Sequence, residues 1–261
     1  MNGLDHLLAL LTACALCAPA AGAGRIEAAR YEHPVDRYGH FAAGRPHEYS
    51  RLEALTDDGV RHTLDLPEDE VFEDVQPRLV RLAPDQAVEI LTIVSESQGG
   101  ARLVLIGLEQ GRLQVSAQSR PIGTPMRWLN PVGVADLDGD GKAEIAAVIT
   151  PHIGGILKIY RRVGGELREI AALGGFSNHV YGSTELGLSA VLSTDGHPRL
   201  LVPDARRQQL RVVGMTGGRL VELGRCALRG SVTGTVSIVS PTEITAVTSA
   251  GRQTVAPADC R

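Results

Sequence analysis

The sequence has few aromatic residues, almost no lysine and only a small net charge. Aromatic residues make up 3% of the chain, and 26 basic side chains stand against 30 acidic ones. This weak negative balance disfavours a nucleic-acid partner, and so few aromatics leave no evident stacking platform for single strands. The basic residues are scattered and form no run. We therefore expect no nucleic-acid partner.

Long apolar runs are also missing. No segment approaches the roughly 20 consecutive apolar residues that a bilayer-spanning helix requires, so we expect no transmembrane segment. The stretch from Leu7 to Ala18 is apolar and is followed by Pro19 and small residues, which is the outline of a cleaved secretory signal. We predict a signal peptide over 1–23, one domain over 24–261, and a periplasmic or secreted protein. The alternative is a lipid anchor at Cys14, because residues 11–14 resemble a bacterial lipobox.

Cysteine is scarce as well. Removal of the predicted signal leaves only Cys226 and Cys260. In an oxidising compartment, two such cysteines most simply form a disulfide, which would close a loop of about 34 residues. The alternative is a pair of free thiols.

Sequence motifs of catalysis are absent. There is no Gly-x-Ser-x-Gly elbow, no His-Glu-x-x-His helix and no paired-cysteine metal spacing. Five residues in predicted connections are candidates for a shared ligand-binding mouth: Arg127, Trp128, His152, Asn178 and His179. The competing interpretation is that Trp128 packs in the interior while Asn178 and His179 hydrogen-bond a turn.

A repeat of about 54 residues organises the chain. Four hairpin patterns surround turn glycines spaced 52, 54 and 53 residues apart, namely Gly59, Gly111, Gly165 and Gly218. A second pair of strand-like runs precedes three of these hairpins, and a shortened pair follows the last. Because no 3.6-residue periodicity is long enough for a helix, the pattern predicts an all-β protein. Repeated four-stranded sheets favour a β-propeller of four or five blades over a pair of β-sandwiches.

One connection in this repeat is strongly acidic. The stretch DLDGDGKAE has carboxylates at positions 1, 3, 5 and 9, which are Asp136, Asp138, Asp140 and Glu144. Position 7 is Lys142, which would offer its backbone carbonyl. Hard oxygen ligands at alternate positions of a tight loop suit Ca²⁺. Gly139 and Gly141 permit the positive φ angles that wrapping an ion requires. An EF-hand is excluded because its twelfth position is Ala147 and the flanks are strand-like.

This loop and its setting resemble the FG-GAP or VCBS repeat of integrin-type propellers. The chain also resembles small exported bacterial proteins that contain such repeats. The resemblance implies a calcium cage between the first two strands of a blade and implies little about activity. The corresponding positions in the neighbouring repeats have lost most of the acids, and Arg199 stands where Glu144 would be. We therefore predict one calcium site.

The sequence thus predicts an exported, calcium-stabilised propeller without catalytic activity, which binds an unknown protein or glycan ligand or has a structural role. The alternative is an exported hydrolase or lyase that acts on sugars or phosphate esters through the mouth residues. The acidic segment 67–77 is predicted to be a solvated connection, with a second cation site as its alternative, because its acids lack alternate spacing and glycines.

Overall fold

A computed structural model describes residues 24–194 and 196–261 of the chain. The predicted signal over 1–23, with Cys14, lies outside the described residues. The described ranges contain nineteen strands and a single 3₁₀ turn, Pro257–Asp259, but no α-helix. The predicted all-β class is therefore confirmed. Within these ranges no helix has the length and apolarity needed to cross a membrane.

The strands form five consecutive antiparallel units. Unit 1 contains β1 (Ile26–Pro34), β2 (Tyr49–Thr56) and β3 (Arg61–Asp65). Unit 2 contains β4 (Glu70–Phe72), β5 (Arg78–Val80), β6 (Glu89–Glu96), β7 (Gly100–Glu109) and β8 (Arg112–Gln118). Unit 3 contains β9 (Leu129–Ala135), β10 (Glu144–Ile149), β11 (Gly155–Val163) and β12 (Glu166–Phe176). Unit 4 contains β13 (Ala190–Thr194), β14 (His197–Pro203), β15 (Gln209–Thr216) and β16 (Arg219–Ala227), and unit 5 contains β17 (Val232–Ser240), β18 (Glu243–Thr248) and β19 (Gly251–Val255).

The predicted strand pairs are present in every unit. The four hairpins around the turn glycines are β2–β3, β7–β8, β11–β12 and β15–β16. The four further pairs are β5–β6, β9–β10, β13–β14 and β17–β18. Local alternation and turn glycines were sufficient to predict these pairs because each joins neighbouring segments of the chain.

The second strand of a unit is buried on both faces. All six residues of β10 are buried. Ile145 and Ala147 pack into a core shared with unit 2, whereas Ala146 and Val148 pack into a core shared with unit 4. Successive side chains of a strand point to opposite faces, so one apolar run supplies two cores. This explains why β10 shows no alternation of apolar and polar residues.

In residues 24–194 and 196–261 the sheets do not form a ring of separate blades. Single residue pairs, Tyr49 with Phe72 and Gln118 with Glu166, join units 1 to 3 into one 12-stranded sheet. Units 4 and 5 are separate sheets of four and three strands. Four hydrophobic cores serve the five units in the described residues, whereas a closed ring of five would need a fifth. The propeller therefore remains a hypothesis.

The antiparallel order places the connections of each unit alternately at two ends of its sheet. In unit 3, residues 136–143 connect β9 to β10 at one end, and residues 150–154 connect β10 to β11 at the other. Trp128 precedes β9 and so lies at the second end. We call the first the acidic end and the second the histidine end. β9 has seven residues, so roughly 20 Å separates the two ends at about 3.3 Å per residue.

The predicted disulfide is present. Cys226 of β16 is joined to Cys260, 34 residues further along the chain, with an S–S distance of 1.96 Å. Beside it, the Arg225 N–H donates to the Arg261 carbonyl at 2.7 Å, and the Arg261 N–H donates back at 3.0 Å. The bridge and these hydrogen bonds hold residues 260–261 against the edge of β16.

Candidate functional sites

The acidic loop between β9 and β10 is organised by its own carboxylates. Asp136 Oδ1 accepts the N–H groups of Gly139 (2.8 Å) and Asp140 (3.0 Å), and its Oδ2 accepts that of Gly141 (2.9 Å). Gly139 and Gly141 have φ angles of 79° and 86°. The predicted need for glycine at these two positions is thereby confirmed, because other residues adopt such angles at a cost.

Three carboxylates of this loop converge. One oxygen from each of Asp136, Asp138 and Glu144 lies within 4.8 Å of the others, a spacing from which one metal ion could be held. Glu144 is fully buried, and burial raises its pKa, although the Leu137 N–H and the Arg161 guanidinium partly offset this. Carboxylate oxygens are the ligands that hard cations such as Ca²⁺ prefer. The donor set therefore fits a divalent cation, while the identity of the metal stays a prediction.

Arg161 of β11 is a cation that the sequence did not point to. Its Nε and Nη2 donate to Glu144 Oε1 at 3.0 and 2.8 Å, and Nη2 also pairs with Asp138. Arg161 reaches the loop because Ile145 pairs with Tyr160 across β10 and β11. A metal ion and this guanidinium would compete for the same oxygens.

The two other predicted ligands lie apart from the converging group. Asp140 Oδ1 accepts the Lys142 N–H at 2.8 Å, and neither residue contributes to the three-carboxylate cluster. Both side chains are exposed. The predicted ligand roles of the Asp140 carboxylate and the Lys142 carbonyl stay predictions.

The loop of unit 2 differs from this one in chemistry. The connection 81–88 of unit 2 is as long as 136–143, but Glu89 is paired with Arg162 at 2.6 Å. The connection of unit 4 includes residue 195, which lies outside the described residues. The expectation of a single site stays a prediction.

At the histidine end, three of the five predicted mouth residues come together. The rings of Trp128 and His152 are stacked with centroids 6.0 Å apart, and His179 lies 4.6 Å from Trp128 and 5.1 Å from His152. Trp128 and His179 are buried, whereas His152 is partly exposed. We call these three residues the histidine cluster.

Hydrogen bonds determine the tautomers in this cluster. His179 Nε2 lies 2.8 Å from the Ser183 carbonyl, which only accepts, so Nε2 carries the proton and Nδ1 carries a lone pair. His152 Nε2 lies 2.8 Å from that Nδ1 and is therefore the donor. The remaining lone pair is on His152 Nδ1. The partly exposed member of the cluster is thus an acceptor, oriented by a chain of hydrogen bonds that ends at a backbone carbonyl.

Both histidines resist protonation. Burial, with the neighbouring His179 next in importance, lowers the pKa of His152 to about 3. Burial lowers the pKa of His179 to about 4, although its hydrogen bond to the Ser183 carbonyl acts in the opposite direction. The cluster is therefore neutral at pH 7.

Arg127 and Asn178 do not join the cluster. Arg127 donates to the adjacent Met126 carbonyl at 3.0 Å. Asn178 is buried, and its Nδ2 donates to the Asn130 carbonyl (3.1 Å) and to Ser189 Oγ (3.2 Å). Asn130 Nδ2 donates back to the Asn178 carbonyl at 3.1 Å. Asn178 therefore connects the start of β9 to the connection after β12.

The predicted solvated character of segment 67–77 is wrong for its central residues. Glu73 and Asp74 are fully buried. The Glu73 carboxylate accepts the Ala42 N–H (3.0 Å) and the Ser95 hydroxyl (2.6 Å), and its carbonyl accepts Trp128 Nε1–H at 2.8 Å. Each of these partners is at least 22 residues distant, so no local pattern could have indicated the burial.

Sequence reasoning also missed the loop that crosses the histidine end. Tyr38, in the connection between β1 and β2, accepts the Met126 N–H at 2.9 Å, and Tyr181 donates to the His40 carbonyl at 2.6 Å. His40 Nδ1 lies 2.8 Å from Glu73 Oε1, outside hydrogen-bonding geometry. The Tyr181 ring is 5.3 Å from that of His152 and is 56% exposed. Tyr181 thus forms the accessible border of the histidine cluster.

In comparisons with known proteins, no family model and no curated protein matches this chain.

Proposed function

We propose that this chain is an exported, calcium-stabilised β-propeller of the FG-GAP or VCBS type that serves as a binding module for a protein or glycan ligand. The convergence of the Asp136, Asp138 and Glu144 carboxylates in a glycine-containing loop carries the proposal. The repetition of antiparallel units along the chain is what supports a propeller, and the disulfide agrees with an oxidising compartment.

The metal has a structural role in this proposal. The acidic loop lies at the end of β9 opposite the histidine cluster, so an ion held there cannot touch a ligand at the histidine end. Ion binding stabilises the β9–β10 connection instead. The accessible surface at the histidine end, bordered by Tyr181, is the proposed ligand face.

Calcium titration followed by thermal unfolding tests the proposal. Extracellular calcium modules bind at roughly 10⁻⁴ to 10⁻³ M, so 10 mM calcium is about 10 to 100 times the dissociation constant and adds about 1.4 to 2.7 kcal/mol. For a domain of this size the melting temperature should rise by roughly 3 to 10 °C. Asp138→Asn should abolish most of this rise.

Arg161 sharpens the experiment because it occupies the same carboxylates. Arg161→Gln removes the competing cation, so calcium should bind more tightly and raise the melting temperature further than in the wild type. Arg162→Gln is the matched control, since Arg162 pairs with Glu89 of unit 2 instead. If calcium stabilises neither the wild type nor Arg161→Gln, the loop is an arginine-neutralised turn and the metal proposal fails.

Export has a separate test. Intact-mass measurement of the protein recovered from its compartment should give an N-terminus at Gly24. A retained segment 1–23 or a lipid on Cys14 would contradict the predicted processing.

A further inference from the structure

Arg207, in the connection between β14 and β15, is a cation at the histidine end that lacks a counter-charge. Its Nη1 donates to Ser177 Oγ at 3.0 Å. Its Nε is buried and makes no hydrogen bond within the described ranges, and no carboxylate of those ranges forms an ion pair with it. A buried guanidinium N–H without a partner loses its hydration and gains no hydrogen bond in return, so the arrangement needs an explanation.

The backbone holds Arg207 in this position. Its φ of 57° lies in the left-handed region, which is uncommon outside glycine. The Arg207 N–H donates to the Asp204 carbonyl (2.8 Å), and the Arg207 carbonyl accepts the Val232 N–H (2.6 Å). The Asp204 carboxylate is engaged by the N–H of Gln208 at 2.7 Å. The nearest acid in sequence is thus turned to the backbone, while Arg207 points towards Ser177.

The histidine cluster does not neutralise this charge. Arg207 donates to Ser177, which is two residues from His179, and its charge is among the causes, after burial, that lower the pKa values of His152 and His179. Both imidazoles are neutral at pH 7. Arg207 is therefore the positive charge beside an uncharged aromatic surface.

Three buried acids near this end are already engaged by other groups. Glu48 is fully buried and accepts the N–H groups of Gly39, His40 and Phe41 at 2.8 to 2.9 Å. Glu73 accepts hydrogen bonds from the backbone and from Ser95, and Asp74 pairs with Arg78 at 2.7 Å. None of these three buried carboxylates is presented to solvent.

Two further cations lie at the same end. Arg45 stacks over the Phe41 ring at 3.9 Å, and Arg127 is partly exposed. Neither forms an ion pair with a carboxylate in the part of the chain that the structure describes.

Glu185 and Asp204 are partly exposed acids at the same end, but each accepts a backbone N–H and neither forms an ion pair with Arg207 in the described residues. Arg207 is therefore a cation without a carboxylate partner, and such a cation attracts anionic ligands.

We propose that Arg207 binds the carboxylate or phosphate group of a hydroxylated ligand, such as a sugar acid or a sugar phosphate, and that His152 accepts a hydrogen bond from an adjacent hydroxyl. The proposal rests on the proposed function, since it treats the histidine end as the ligand face and names the ligand class. Arg207 is partly exposed, and a guanidinium donates charge-assisted hydrogen bonds to carboxylate and phosphate oxygens. The His152 Nδ1 lone pair, oriented through His179, requires a donor, which a hydroxyl supplies.

Calorimetric titration of the processed chain with glucuronate, inorganic phosphate and glucose tests this inference. Glucuronate or phosphate should bind saturably, and glucose should not. Binding of glucuronate alone indicates that the ligand is a sugar acid. Binding of phosphate alone indicates a phosphate-bearing ligand. Competition between glucuronate and phosphate indicates a site that accepts either oxyanion. Absence of saturable binding by both anions would overturn the proposal.

Variants locate the site. Arg207→Gln should weaken anion binding at least about tenfold, the scale of a lost charge-assisted hydrogen bond. Arg207→Lys keeps the positive charge but lacks the planar guanidinium, so its affinity for the anion should be intermediate. This variant tests the assignment of the site to Arg207 if Arg207→Gln does not fold. Arg81→Gln is the matched control, because Arg81 lies at the acidic end and bonds only the Pro84 and Gln86 carbonyls. Wild-type affinity in either Arg207 variant would refute the assignment.

The two proposals can fail separately. The calcium-dependent rise in melting temperature of a folded Arg207 variant should equal that of the wild type, since roughly 20 Å separates the ends. Lost anion binding with an intact calcium response therefore concerns only the histidine end. A missing calcium response with intact anion binding would instead remove the metal proposal and leave Arg207 as the ligand site.

Discussion

Mild acid should destabilise this protein through the histidine cluster. The pKa values of His152 and His179 are lowered to about 3 and about 4 in the native state, whereas an unfolded histidine titrates near about 6.5. As the pH falls below about 6.5, the unfolded chain takes up protons that the native state refuses. Stability is therefore lost as the pH decreases from about 6.5 towards about 4.

The magnitude follows from linkage. At pH 5 an unfolded histidine is almost fully protonated, which corresponds to a loss of about 2 kcal/mol for each histidine that stays neutral in the native state. His152 is partly exposed, so solvent screening reduces its share, and the two histidines together should cost about 2 to 4 kcal/mol between pH 7 and pH 5. The melting temperature should fall by roughly 5 to 15 °C.

Thermal unfolding at pH 7, 6 and 5 provides the assay. His152→Gln and His179→Gln should each remove about half of the decrease, and the double variant should remove most of it. A residual slope should remain from His47, whose pKa is also lowered by burial. His197→Gln, at an exposed position of β14, is the control and should leave the decrease unchanged. A wild-type melting temperature that is constant from pH 7 to pH 5, or an equal decrease in the double variant, would refute this reasoning.

Two further predictions concern packing and the crosslink. Gly44 and Gly59 both have φ of +79°, but a Cβ at Gly44 would lie 2.8 Å from the Gly182 carbonyl oxygen, whereas a Cβ at Gly59 meets nothing within 4 Å. In urea unfolding, Gly44→Ala should therefore lower the free energy of unfolding by about 1 to 2 kcal/mol more than Gly59→Ala. Equal losses in the two variants would contradict the contact at Gly44. Cys260→Ser should lower the free energy of unfolding by about 3 to 4 kcal/mol, which is the loop-entropy value for a separation of 34 residues. A loss below about 1 kcal/mol in denaturant titration would mean that other contacts hold residues 260–261.

The ligand-binding part of the sequence prediction is only partly reflected in the arrangement of side chains. Trp128, His152 and His179 lie together, but Arg127 and Asn178 do not join them. Order along the repeat correctly indicated which connections share an end of the sheet, because that depends on strand direction alone. Which side chains touch depends on rotamers and on the loop 35–48, which crosses from unit 1 and has no counterpart in the repeat.

The local features of this protein could be predicted from the amino-acid sequence. The strand pairs around Gly59, Gly111, Gly165 and Gly218 were readable because alternation and turn chemistry act between adjacent segments. The positive φ angles of the acidic loop were readable because its glycines stand among alternating acids. The disulfide followed from the small number of cysteines in the predicted processed chain.

The pairing of charges depends on the three-dimensional arrangement of the units and could not be predicted from the sequence. Arg161 of β11 pairs with Asp138 of the acidic loop and with Glu144 of β10. Glu73 is buried by partners from three distant segments. Within the part of the chain that the structure describes, Arg207 donates to Ser177 and has no carboxylate partner. A charge is stabilised or left uncompensated by whatever group lies within a few ångströms. Because antiparallel units bring together residues that are tens of positions apart, no local periodicity contains that information.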